Sequence, residues 1–350
     1  MASAPDPFGI HRALDPPGSL PQSARKLDAT PTCGSNEILA RVSALSVDAA
    51  SFRQMRETEE RTGEKVAAQI LRIVAERGKL QNPVTGSGGM FIGAVEAVGE
   101  DHPARKALSP GDPIASLVSL TLTPLRLDAV RAVHAATERV EVDGHAILFE
   151  RTLFARMPGD LPEAVALAAF DVAGAPATVR LHARPGATVV VIGAGKAGML
   201  SIAAARDAVG ATGRVVVIEP VEAAARRAED LAMADAVLRV DAGNPVAVHD
   251  AVAKATGGRM GDLVVNVVNA AGTESATLLA ARDDGTVLFF GMATSFSAVA
   301  LGAEGLACPA TLLIGNGFVP GHAELALDLL RRHPALRRAF FALAGIPADP

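Results

Sequence analysis

Thr188-Val-Val-Val-Ile-Gly-Ala-Gly-Lys-Ala-Gly-Met-Leu200 is the stretch that decides how this chain folds. Its β-branched run predicts a strand buried on both faces, as a parallel sheet requires. Gly193, Ala194, Gly195, Lys196, Ala197 and Gly198 then form a G-x-G-x-x-G turn, which lets backbone N–H groups approach a pyrophosphate. An Ala-rich helix follows, and its N-terminus adds partial positive charge. A second apolar run, Arg214 to Ile218, ends in Glu219, 21 positions beyond Gly198. An acid at that spacing accepts hydrogen bonds from an adenosine ribose and repels a 2′-phosphate, so NAD is expected rather than NADP. Glycine-rich turns also occur where a strand and a helix merely pack closely. Strand, turn, helix, second strand and acid occur here in order, which favours the dinucleotide reading.

Downstream, the pattern predicts helices over 196–209, 221–232, 245–255 and 274–281, alternating with strands over 214–218, 236–239, 262–268 and 285–290. This alternation implies a doubly wound parallel sheet with its ligand crevice at the carboxyl ends of the strands. Residues 322–342 read as a terminal helix pair split at Pro334. Upstream, the first 30 residues hold five prolines and suggest an irregular arm laid over the surface. Glu37 to Val47 alternates like a strand, and residues 53–79 read as an amphipathic helical insertion. Gly93 in a second strand predicts a bulge or close backbone approach, and Pro110-Gly111-Asp112 a turn. Short strands are expected through 112–157, then a helix from Pro162 leading to Asp171.

A chain of 350 residues, 49% hydrophobic, has material for two substantial cores. The net charge of −5 with scattered Lys and Arg gives no footprint for nucleic acid or an anionic membrane. Lys196 and three glycines interrupt the most apolar window, and the first residues lack an apolar leader, so a cytoplasmic location is expected. Cys33 and Cys308 are too few for a disulfide framework or a four-cysteine zinc lobe. The absence of tyrosine excludes the short-chain dehydrogenases, whose proton donor is a Tyr with a Lys partner.

A β-rich region carrying Gly93-Ala-Val-Glu-Ala-Val-Gly99 and Pro110-Gly111-Asp112 before a late Rossmann unit resembles the medium-chain dehydrogenase/reductase family. That resemblance implies an α/β protein in three parts. An N-terminal GroES-like catalytic domain takes residues 1–175, a Rossmann NAD-binding domain 176–315, and C-terminal helices 316–350 pack back on the domain junction. The likeness narrows through Cys33-Gly-Ser-Asn-Glu-Ile-Leu39, Ser119-Leu-Thr-Leu-Thr-Pro-Leu-Arg126, Gly144-His-Ala-Ile-Leu-Phe149 and Asp171-Val-Ala-Gly-Ala-Pro176. Members with those segments deaminate a 3,5-diamino acid of lysine fermentation, with NAD as oxidant. A homodimer or homotetramer is implied, with the diamino acid as partner and neither nucleic acid nor membrane.

Departures from the zinc-containing alcohol dehydrogenases carry the chemistry. Gly88-Gly89-Met90 stands where those enzymes have Gly-His-Glu. Asp48 aligns with their first cysteine ligand, and Asp171 falls near the third. Two aspartates without imidazole or thiolate make a poor zinc site, so no metal is expected. Alcohol oxidation develops negative charge on oxygen, which a Lewis acid stabilises; a diamine presents ammonium groups, which a cation repels. Asp48 and Asp171 are therefore the expected catalytic pair, one as general base and one as charge partner. Asp48 is equally suited to cap a helix starting near Ala49. Arg53 and Arg126 are candidates for the substrate carboxylate, and Ser51 and Ser87 join them as candidate substrate contacts. The resemblance also places Val268, Asn269, Ala270, Gly291 and Met292 beside the nicotinamide ribose and carboxamide. His134 and His145 read as structural. The competing readings are a zinc-independent enone or quinone reductase of the same family and an NAD-binding protein without catalysis.

Overall fold

The computed structural model describes residues 6–57, 62–135, 137–315 and 317–347. The chain divides into two compact units, Met1–Pro158 and Gly159–Pro350. The first holds β1 (Ala13–Asp15), β2 (Lys26–Leu27), β3 (Glu37–Val47), α1 (Ala49–Glu57), α2 (Thr62–Arg77) and β4 (Gly89–Val98). Then come β5 (Pro113–Ser116), β6 (Leu125–His134), β7 (Arg139–Phe149) and β8 (Phe154–Arg156). Among the described residues, six of these strands form an antiparallel sheet in the order β6-β7-β3-β4-β5-β8. Alternation along β3 buries Ala40, Val42 and Ala44 and exposes Arg41 and Ser43. Its inner face shares one core with Phe52 and Met55 of α1 and Val66, Ile70 and Val74 of α2. Opposite Gly93 the register of β3 shifts between Val42 and Ala44, the bulge that a mid-strand glycine predicts.

Three expectations for this unit change. The insertion expected over 53–79 is two helices, and it begins at Ala49 because the Asp48 carboxylate accepts the Ala50 N–H at 2.9 Å; residues 58–61 lie outside the described residues. The short strands expected through 112–157 include two long ones, β6 and β7, paired along their length. The arm expected to lie irregularly on the surface is bolted down by buried charge. Arg12 donates to Glu37 Oε1 at 2.9 Å and Oε2 at 2.6 Å, and to the carbonyls of Thr30 and Thr32. Lys79, 0% exposed, donates to the carbonyls of Pro21 at 2.8 Å and Gln22 at 3.3 Å. Hydrophobic periodicity is blind to such contacts, because the partners are main-chain oxygens of a proline-rich segment. Burial, with the Arg77 charge adding to it, pushes the Lys79 ammonium down to about 8.

The second unit opens with α3 (Glu163–Phe170) and α4 (Gly174–His182), then β9 (Thr188–Ile192), α5 (Lys196–Val209), β10 (Arg214–Ile218), α6 (Glu222–Asp230), β11 (Ala236–Leu238) and α7 (Pro245–Thr256). It continues with β12 (Gly261–Asn266), α8 (Glu274–Leu279), β13 (Ala281–Phe289), α9 (Phe296–Gly305), β14 (Thr311–Ile314), α10 (His322–Arg332) and α11 (Pro334–Leu343). Its strands are parallel in the order β11-β10-β9-β12-β13-β14, the doubly wound arrangement. The order reverses between β9 and β12, and the valines of β9 and β10 are fully buried. The pattern had given no sign of α9 and β14. The first carries exposed Phe296 and Leu301, and the second is a four-residue edge strand, so neither shows a clean apolar period. Helices α3 and α4 pack on α5 and α10, and with the C-terminal helices they lie in the compact unit that begins at Gly159. No single helix among the described residues is long and apolar enough to cross a membrane; α3 and α4 pass that test only as a bent pair.

Candidate functional site

The nucleotide half is built at the carboxyl ends of β9, β10, β12 and β13. Gly193 has φ +101°, and a Cβ there would press against Val268 Cγ1 at 2.7 Å. A Cβ on Gly198 would collide with the Gly193 carbonyl oxygen, so the third glycine lets α5 start directly against the turn. At Gly195 nothing lies within 4 Å of a Cβ position, and no side chain caps α5. The helix therefore presents free N–H groups and an open face, which is what a pyrophosphate needs. Glu219 is buried; its Oε2 accepts the Ala194 N–H at 2.8 Å and its Oε1 the Val221 N–H at 2.9 Å. It thus pins the glycine turn, and each carboxylate oxygen keeps a lone pair with which to accept a hydroxyl. Asn266 went unnoticed in the sequence although it ends an apolar strand run. Its Nδ2 donates to Thr273 and Thr277 hydroxyls at 2.8 Å each, and its Oδ1 accepts the Val268 N–H at 3.1 Å. That fixes the loop of Val268, exposed Asn269 and exposed Ala270. Gly291 tucks beneath the Val268 carbonyl, and Met292 is 94% exposed. The set fits NAD.

Asp171 terminates α3 and is exposed within its unit, where Lys196 Nζ donates to its Oδ2 at 3.3 Å. The expected acid is thereby joined to the only charged side chain of the fingerprint.

In the first unit, exposed Asp48 follows β3; besides the Ala50 N–H, its carbonyl accepts the Phe52 N–H at 2.8 Å. Ser51 is buried, with Oγ 2.6 Å from both Thr85 Oγ1 and Ser87 Oγ, and those two are 3.1 Å apart. The structure therefore joins Ser51 to Ser87 and adds Thr85, which the sequence gave no reason to single out: it meets Ser51 across 34 residues through a loop held by Asn82. Arg53 is exposed on α1. Arg126 is not brought to this corner. It pairs with Asp128 at 3.1 Å on β6 and lines a groove with Leu14, Lys26, Asp28 and Val74, of which none of Asp48, Ser51 and Ser87 is part. The sheet order explains this, because β7 and β3 separate β6 from β4. His145 and His134 pair with Glu96 at 3.2 Å and Glu141 at 2.9 Å. No three His, Cys, Asp or Glu gather as a metal group among the described residues, so the zinc of alcohol dehydrogenases does not fit this donor set.

Residues 11–158 match the L-erythro-3,5-diaminohexanoate dehydrogenase N-terminal domain family. Over 334 residues the chain is 46% identical to the L-erythro-3,5-diaminohexanoate dehydrogenase of Acetoanaerobium sticklandii, covering 95% of this chain and 97% of that protein. The chain belongs to the L-erythro-3,5-diaminohexanoate dehydrogenase family. A second member of that family, from Fusobacterium nucleatum, is 45% identical over 337 residues, covering 95% of this chain and 97% of the relative. Among solved structures, an alcohol dehydrogenase from Thermotoga maritima matches with a TM-score of 0.56 at 17% identity, covering 88% of this chain and 85% of that one. The chain thus shares the fold of that alcohol dehydrogenase.

Proposed function

We propose that the chain catalyses the NAD-dependent oxidative deamination of L-erythro-3,5-diaminohexanoate, with water, to 5-amino-3-oxohexanoate, ammonia and NADH, in lysine fermentation. The observation that carries this reading is family membership along 95% of the chain. The carboxylates support it: an ammonium is held and deprotonated by an anion, and a divalent cation would repel it. Asp48 and Asp171 divide the work. One takes the proton from the C3 ammonium and later assists water addition at C3; the other balances the remaining positive charge. Bound NAD supplies the acceptor for the C3 hydride. Ser51 and Ser87 orient the substrate from the hydroxyl cluster, and Arg53 is the candidate for its carboxylate, since Arg126 lies in another groove. The enzyme works in the cytoplasm as a homo-oligomer on this reading. The enone or quinone reductase alternative gains nothing from the family match.

The test is NADH formation from the diamino acid and from simple alcohols, after chelator treatment. Chelator-insensitive activity confined to the amine is expected; activity on alcohols alone, or its loss to the chelator, would refute the reading.

A further inference from the structure

Lys196 opens α5 at the end where the helix dipole is positive, which disfavours its charge, and Asp171 lies between the carbonyl end of α3 and the start of α4 at Gly174. Their ion pair at 3.3 Å, with side chains 55% and 42% exposed, offsets the misplacement of Lys196 without locking either one. Lys196 follows Gly195 directly, beside the uncapped N-terminus and open face already matched to a pyrophosphate.

We propose that Lys196 is a shared counter-ion, handed from Asp171 to the cofactor pyrophosphate, so that NAD binding frees Asp171 for the substrate ammonium. The idea rests on the proposed role of Asp171 and deepens it. In the cofactor-free protein the substrate must compete with Lys196 for this carboxylate. Once the pyrophosphate is bound, Lys196 has a partner with more charge, and the competition ends. Lys196 is then a positioning residue for the reaction, and NAD and the diamine bind in a coupled, ordered way.

A double-mutant cycle read by calorimetric titration with NAD tests this without turnover. Lys196→Met, which keeps the aliphatic stem, should weaken NAD about tenfold, as loss of a charge-assisted phosphate contact does. Asp171→Asn should tighten NAD by up to about fivefold, the worth of an exposed ion pair. In the Lys196→Met background, Asp171→Asn should no longer tighten it. Tightening that persists without Lys196 would mean simple removal of negative charge and would overturn the hand-over, as would no tightening at all. The role of Asp171 is read separately, from turnover. If Asp171→Asn loses turnover but shows no coupling, the hand-over falls and the acid's role stands. If the coupling is present but Asp171→Asn keeps full turnover, the substrate half of the proposal falls with the role of the acid.

Discussion

Gly193–Gly198 in the second unit and Asp48–Ser51 in the first both follow a strand and open a helix. At the first junction glycines strip away side chains, no cap closes α5, and its N–H groups stay free for an anion. At the second, Asp48 covers an N–H group of α1 with its own carboxylate and stands exposed, and Ser51 in the first turn gathers Thr85 and Ser87. The same local geometry accepts negative charge in one place and presents it in the other. The cores differ in parallel: β9 and β10 are packed with aliphatic side chains, whereas the first unit buries Arg12, Glu37 and Lys79.

That contrast breaks most sharply at Arg12. Arg12→Met leaves the Glu37 carboxylate fully buried with only His11 and a backbone amide, and should cost about 3–5 kcal/mol of stability in denaturant unfolding. Cutting the exposed Arg226–Glu222 pair of the second unit should leave the unfolding midpoint nearly unchanged. Burial raises the Glu37 carboxyl, but Arg12 and His11 outweigh it and hold the group below its ordinary 4.5. The stability from this pair is therefore complete above pH 4.5 and is lost as pH falls through the lowered folded value; the Arg12→Met variant should lack that acid limb. Next comes Gly198→Val, whose side chain meets the Gly193 carbonyl and should weaken NAD about 100-fold by titration, with the first unit's stability untouched. Glu219→Gln should shift the ratio of NAD to NADP affinity about tenfold towards NADP, because the charge that repels a 2′-phosphate is removed, while the single amide oxygen keeps one of the two backbone contacts.

The strand, glycine turn, helix and acid of the second unit were legible in the sequence for a physical reason. Backbone packed tightly at strand ends constrains the residues to glycine, and spacing alone links Gly193 to Glu219. Asn266 escaped because its role lies in two threonine hydroxyls of the following loop and helix. In the first unit the strand Glu37–Val47 was readable from alternation, but the corner around Ser51 was not. Thr85 joins it through a loop turn held by Asn82, and Arg126 leaves it because sheet order places β7 and β3 between β6 and β4. Burial of Lys79 against arm carbonyls was hidden for the same reason: charge paired with backbone leaves no pattern along the chain.

If side-chain anions do here what a metal does in the alcohol dehydrogenases, kcat/KM for the diamino acid must fall in both Asp48→Asn and Asp171→Asn. Asparagine keeps the α1 cap, so loss of charge is separated from loss of the helix. We expect each substitution to lower kcat/KM about 100-fold or more with the folded state intact. Wild-type turnover in both variants would contradict the claim.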